Sequence, residues 1–186
     1  MAGAMAAAPL EISGDRVEMV MSQQLSLGEG SLWCPRAGCW LIVDIHGRAL
    51  YTLDHATFAA RKYPVPEQVG TAVLRAPEFC GGGGEQALVA LKTGLAFVDL
   101  ATGAVARLPG APAEPPKNRW NDGKCSPEGR FWGGTMEDAT FSKGAGTLYV
   151  LDGAPAAGGA PPAPRKAFGG VTISNGIAWS ADGRTM

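Results

Sequence analysis

Three segments of the chain share one pattern, and that sharing restricts the fold more than any other feature. Glu29-Gly30-Ser31-Leu32-Trp33-Cys34-Pro35 is followed by a turn glycine at Gly38. Asn121-Asp122-Gly123-Lys124-Cys125-Ser126-Pro127 is followed by Gly129, and Asn175-Gly176-Ile177-Ala178-Trp179-Ser180-Ala181 by Gly183. Setting Cys125-Ser126-Pro127 on Trp33-Cys34-Pro35 and Trp179-Ser180-Ala181 brings Glu29, Asn121 and Asn175 into one column. In repeats arranged around an axis one column is one location in space, so three polar residues far apart in sequence are expected to meet.

The segments between these motifs read as strand after strand. Trp40–Asp44, Ala49–Leu53, Ala87–Leu91, Leu95–Asp99 and Thr147–Leu151 are short apolar runs closed by Gly, Asp or Lys-Thr-Gly turns. No stretch keeps a helical apolar period for three turns, and 27 glycines and 14 prolines interrupt most candidate helices. The chain is therefore predicted to be all-β. A weaker unit around Gly70 to Leu108 fills the gap between the first two motifs and gives about 45 to 54 residues per unit, the spacing of propeller blades of roughly four strands. The prediction is a β-propeller of about three blades plus the start of a fourth, spanning residues 21–186 behind a poorly ordered segment 1–20. Pro- and Gly-rich connectors, Phe79–Gly84, Pro109–Lys117 and Ala154–Pro164, are expected as surface loops. In a propeller the innermost strand of each blade runs along the central channel, so a polar residue at its start points to a shared opening.

Composition excludes several classes of partner. Sixteen Lys and Arg balance seventeen Asp and Glu without a basic stripe, which gives no electrostatic reason to expect nucleic acid or an anionic membrane. The N-terminal MAGAMAAAPLEISGD has no basic region before Arg16, and Glu11 and Asp15 interrupt it too early for a signal peptide or a span, so a cytoplasmic protein is expected. The four cysteines form no C-x-x-C pair. Cys34 and Cys39 flank a Pro-Arg-Ala-Gly turn and would face each other across a hairpin, with free thiols expected in a cytosolic setting.

The motifs resemble those of the senescence marker protein, regucalcin and gluconolactonase family. The matching segments are Gly28-Glu29-Gly30 with Trp33 and Val43-Asp44-Ile45, then Arg119-Trp120-Asn121-Asp122-Gly123-Lys124 through Gly134-Thr135-Met136, then Ser174 through Gly183. They follow the family's order from about residue 25 onward. The resemblance implies a six-bladed propeller that hydrolyses a sugar lactone to the aldonic acid with one divalent metal, calcium or zinc foremost and manganese or magnesium as further candidates. It also implies that Glu29 and Asn175 are metal ligands, that Arg119 and Asn121 hold the substrate, and that an acidic contact falls just after Met136, at Glu137 or Asp138. Six blades need about 300 residues, so this chain would supply about half the disc. The family's aspartate ligand and general base is expected beyond Met186, the chain alone is expected to be weak or inactive, and an open blade edge invites self-association.

The residues suit that chemistry on independent grounds. One carboxylate and two amide carbonyls offer a hard cation an oxygen cage of low charge, and such a cation polarises a lactone carbonyl and acidifies water. Arg119 stands two residues before Asn121 and in a regular strand leans to the same side, in reach of ring oxygens. Other readings stay open at this level. Asn175-Gly176 and Asn121-Asp122-Gly123 also read as turns, Glu29 as a solvated acid, and Arg119 as a surface cation. Trp33, Trp132 and Trp179 read as blade packing, and His46 and His55 as turn residues. A calcium-binding regulatory propeller without turnover and a protein-binding scaffold are the competing functions.

Overall fold

A computed structural model describes residues 17–80, 84–153 and 162–186. Most of the predicted N-terminal segment, and the centres of the Phe79–Gly84 and Ala154–Pro164 connectors, lie outside the described residues. Among the described residues, twelve strands form three four-stranded antiparallel sheets. The first contains β1 Gly28–Cys34, β2 Cys39–Asp44, β3 Ala49–Asp54 and β4 Ala60–Pro64. The second contains β5 Val69–Leu74, β6 Gln86–Leu91, β7 Gly94–Asp99 and β8 Val105–Arg107, and the third β9 Asn118–Cys125, β10 Phe131–Glu137, β11 Gly146–Leu151 and β12 Arg165–Val171. Each sheet is a meander in sequence order. A single 3₁₀ turn, Pro77–Phe79, is the one helical element among the described residues, and no helix there is long and apolar enough to cross a membrane.

The middle sheet explains why its strands are unbroken apolar runs. Ala87, Val89 and Leu91 of β6 and Ala96 and Val98 of β7 pack with Leu41, Val43 and Leu50 of the first sheet. The alternate residues, Leu88, Ala90 and Leu95, pack with Trp120, Phe131, Tyr149 and Leu151 of the third. With a side-chain period of two, burial on both faces demands apolar residues at every position. Each of the larger side chains contributes about 1.5–3 kcal/mol by leaving water. The tryptophan at the centre of this packing is Trp120, 2% exposed and set against Tyr149 and Phe131 at 5.3 and 6.5 Å between ring centroids. Trp33, Trp132 and Trp179 are only half-buried, and Trp33 stacks on Trp40 and His55.

The first strands of successive sheets lie side by side. Thr71 of β5 donates its hydroxyl to the Gly123 carbonyl of β9 at 3.0 Å, and a Cβ on Gly70 would stand 2.3 Å from the Asn121 carbonyl oxygen. Glycine at position 70 is thus what lets two inner strands touch. The repeated turns align as the motif column requires: Ala37, Gly129 and Gly183 donate their amides to the Cys34, Ser126 and Ser180 carbonyls. Cys34 pairs with Cys39 across the β1–β2 hairpin, and all four cysteines are free. Burial, reinforced by the neighbouring Cys39, pushes the Cys34 thiol up to about 11.

Candidate metal and substrate site

The first strand of each sheet is irregular in its N-terminal part. In β1, Glu29 faces Val43 and Leu32 faces Leu41, so Gly30 and Ser31 share one partner position; Gly30 takes a φ of 59°, a left-handed value that favours glycine. In β5, Gly70 is the extra residue between Val69 and Thr71. In β9, Gly123 faces Gly133 and Trp120 faces Thr135, leaving Asn121 and Asp122 together opposite Gly134. A bulge of this kind breaks the in–out alternation and re-aims side chains. Asn121 and Asp122, which a regular strand would send to opposite faces, therefore line one cavity with Glu29, Gly30, Ile45, Gly70 and Asn175. A larger cavity of about 250 Å³ shares Glu29, Gly30 and Asp122 with it and continues along Thr71, Lys124 and Ile177.

The three members of the sequence column thus converge, each brought by a different element. Asp44 secures the first of them: its carboxylate accepts the amides of Ser26 and Leu27 at 3.0 Å and of Gly47 at 2.9 Å, tying the run into β1 to the β2–β3 turn. Those three bonds outweigh the opposing effect of burial and hold the Asp44 carboxyl below its ordinary value. Asn175 arrives on the segment after β12, which joins the third sheet through the Met136–Ile173 bridge. Neither Glu29 nor Asn175 has a side-chain hydrogen-bond partner among the described residues, and both are exposed at the cavity. Their oxygens are available to a ligand.

Arg119 and Asn121 are held quite differently. Arg119 is 5% exposed, which removes the surface-cation reading. Its Nη1 donates to Asn121 Oδ1 at 2.7 Å and to the Trp120 carbonyl at 3.1 Å, and its Nε to Asp138. Asn121 completes the chain by donating Nδ2 to the Ser174 carbonyl at 2.8 Å. Asn121-Asp122-Gly123 belongs to strand β9, so the turn reading does not apply to it. Burial acts to raise the Asp138 carboxyl, but hydrogen bonds from Arg119 and from Gln68, the latter at 3.0 Å, outweigh it and hold the group below its usual value.

The structure separates the two acidic candidates after Met136. Asp138 meets Arg119, whereas Glu137 is taken up by its own turn. Ala139 and Thr140 donate their amides to Glu137 at 3.0 and 2.7 Å, and the Thr140 hydroxyl donates at 2.6 Å. The Thr140 hydroxyl and amide together bring the Glu137 carboxyl down to about 2. Asp122, by contrast, is a member of the cavity that strand alternation conceals. No group of three or more His, Cys, Asp or Glu side chains gathers among the described residues; the donors at this cavity include amides.

Comparison with known proteins bears on the family and the fold. Residues 27–186 match the family described as SMP-30/Gluconolactonase/LRE-like region. Regucalcin of Xenopus laevis is 31% identical over 179 residues, covering 94% of this chain and 55% of that protein. L-arabinolactonase of Azospirillum brasilense is 32% identical over 163 residues, covering 87% and 50%. Among solved structures, the regucalcin of Agrobacterium tumefaciens, described as a calcium-binding protein, superposes with a TM-score of 0.73 at 28% identity, covering 88% of this chain and 50% of that one. The chain spans about half the length of the relatives it matches. With its three meander sheets, its aligned turns and a family match across residues 27–186, the chain belongs to the SMP-30/gluconolactonase/LRE-like family.

Proposed function

We propose that the protein is a hydrolase of sugar lactones that works with one divalent cation. The observation that carries this reading is the convergence of Glu29, Asn121 and Asn175, from three separate parts of the chain, on one cavity at the bulged ends of the inner strands. The lactonase and regucalcin names among the relatives support it. Glu29 and Asn175 would hold the cation: their donors are oxygens, the ligand chemistry of calcium, magnesium and manganese, with zinc as a borderline acceptor of the same set. When bound, the cation supplies Lewis acidity, which polarises a lactone carbonyl and favours ionisation of water near neutral pH. Asn121, locked through both ends of its amide, would meet the ring and hydroxyl oxygens of the substrate at the cavity wall, while Arg119, which does not itself line the cavity, would act on them from behind it, locked through Asp138 and donating to Asn121. Such donors are effective because they need not reorganise as the reaction proceeds.

The test is hydrolysis of glucono-1,5-lactone followed as acid release, with calcium, zinc or manganese supplied and then removed by chelator. The chain spans about half the length of its relatives, so its turnover is expected to be weak; that turnover should depend on the cation and fall by about 10²-fold or more when Arg119 is changed to Met, the scale of a lost preorganised donor. Hydrolysis at an unchanged rate in chelator would sink the reading.

A further inference from the structure

Asp122 is a cavity-lining carboxylate for which the proposed function has no use. Its oxygens are both engaged with main chain: one accepts the amide of Gly123 at 2.8 Å, the other the amide of Gly176, also at 2.8 Å. Its neighbour Asn121 donates to the Ser174 carbonyl at 2.8 Å, and the Asp122 amide approaches the same carbonyl at 3.4 Å. Ser174 and Gly176 flank Asn175. Two adjacent residues of the β9 bulge therefore grip the main chain on either side of Asn175, and the bulge is what lets both face it.

The grip matters because little else fixes that position. No strand is assigned from residue 172 to 186 apart from the single bridge at Ile173. Gly176 has a φ of 70°, a conformation glycine enters and leaves at little cost. Ser174 reaches the bulge only because residue 134 is glycine, whose Cβ would otherwise stand 1.9 Å from Ser174 Oγ. We propose that Asp122 is a positioning residue: by accepting the Gly176 amide it fixes Asn175 beside Glu29, so that the two oxygen donors are aligned before a cation arrives. This rests on the reading of Glu29 and Asn175 as cation ligands. Groups that orient a ligand from behind it affect affinity about 10–100-fold, and a site needs such support to hold its geometry.

The experiment compares the 186-residue chain with D122A and D122N by hydrogen exchange at the Gly176 amide and by calorimetric titration with Mn²⁺. D122A is expected to lower Gly176 protection about tenfold and Mn²⁺ affinity about 10–100-fold. D122N keeps one carbonyl acceptor for Gly176, so it is expected to retain most of the protection and to lose no more than about fivefold in affinity, less than the roughly 10–100-fold of a lost orienting group. If D122N loses affinity as fully as D122A while Gly176 stays protected, the carboxylate acts on the cation itself and the positioning role is overturned. Unchanged protection in D122A overturns it too. If the unmodified chain binds no cation, the metal reading fails separately, and the Gly176 exchange contrast still upholds or overturns the clamp.

Discussion

The two sides of the site are built on opposite principles. On one side Arg119 and Asn121 are buried and linked in a continuous chain from Gln68 through Asp138, Arg119 and Asn121 to the Ser174 carbonyl. On the other, Glu29 and Asn175 are exposed and have no side-chain partners among the described residues; what is secured is the main chain around them, by the β1–β2 pairing and Asp44's bond to Leu27 for Glu29 and by Asp122's bond to Gly176 for Asn175. The contrast teaches that one polar cluster can divide its labour. On the proposed function, the groups that would recognise a neutral polyol without moving are fixed by side-chain bonds, while the groups that would accept an ion keep their oxygens free. It follows that the first side should contribute to stability and the second should not, and this separation can be broken experimentally.

The largest effect is expected from Arg119→Met. Removing the guanidinium leaves Asp138 and Asn121 facing each other without a donor between them, and breaking a buried pair costs about 3–5 kcal/mol. Asp138 keeps partial contact with solvent, with 22% of its side chain exposed, so a loss of about 2–3 kcal/mol is expected, at or below the lower end of that range. The check is the urea midpoint. An unchanged midpoint would mean that the linked side is no more structural than the open one.

Gly70→Ala should come next. The new methyl would point at the Asn121 and Trp120 carbonyl oxygens, 2.3 and 2.4 Å from an ideal Cβ, and main-chain atoms cannot swing aside as a flexible side chain can. Overpacking of this kind costs about 1–3 kcal/mol. Because the strain falls on β9 beside the site, thermal unfolding and lactone turnover should both decline. A stability loss with full turnover would show that the β5–β9 contact does not set the position of Asn121.

Much of this arrangement was legible in the sequence, and the illegible parts share a cause. Runs such as Ala87–Leu91 and Thr147–Leu151 fall within strands β6 and β11 because burial on both faces leaves an unbroken apolar signature. Strands β4 and β8 gave no such signal, since Ala60–Pro64 carries Arg61 and Lys62 and Val105–Arg107 is three residues long at a sheet edge. The column of Glu29, Asn121 and Asn175 was readable because the turns after it repeat. Asp122 was not, because period-two alternation assumes a regular register and the bulge opposite Gly134 violates it. Glu137 and Asp138 are indistinguishable in sequence; only the turn through Thr140 decides which carboxylate faces inward and which closes a loop. Trp120, between Arg119 and Asn121, is buried to 2% exposure where the alternation still holds.

Glu137 supplies a smaller effect, visible as a dependence on pH. Its carboxyl, ordinarily near 4.5, is held at about 2 by Thr140 and its neighbours. A depressed folded-state value means that the unfolded chain binds the proton more readily. The contribution of Glu137 is therefore complete above about pH 4.5 and is lost as pH falls toward about 2. Glu137→Gln should flatten the acid limb of the melting temperature between those values and leave the neutral region little changed. Equal acid limbs in the two proteins would place Glu137 outside the turn.

The smallest effect on stability, and the sharpest test of the contrast, is Glu29→Gln. Glu29 is exposed and makes no side-chain hydrogen bond among the described residues, so its melting temperature should match the unmodified chain to within about 0.5 kcal/mol of stability, the range for surface positions away from packed features. The substitution keeps the shape and one carbonyl oxygen but removes the single charge that Glu29 brings to the cavity. If Glu29 is a cation ligand as proposed, losing the one carboxylate at the cavity, among the described residues, whose oxygens are not already engaged with main chain should lower affinity for Ca²⁺ or Mn²⁺ by more than the roughly 10–100-fold produced by losing a supporting group. Calorimetric titration beside a thermal melt reads both quantities on one sample. A variant that melts lower than the unmodified chain would show that Glu29 is structural, as Arg119 is, and the division between the fixed side and the open side would disappear.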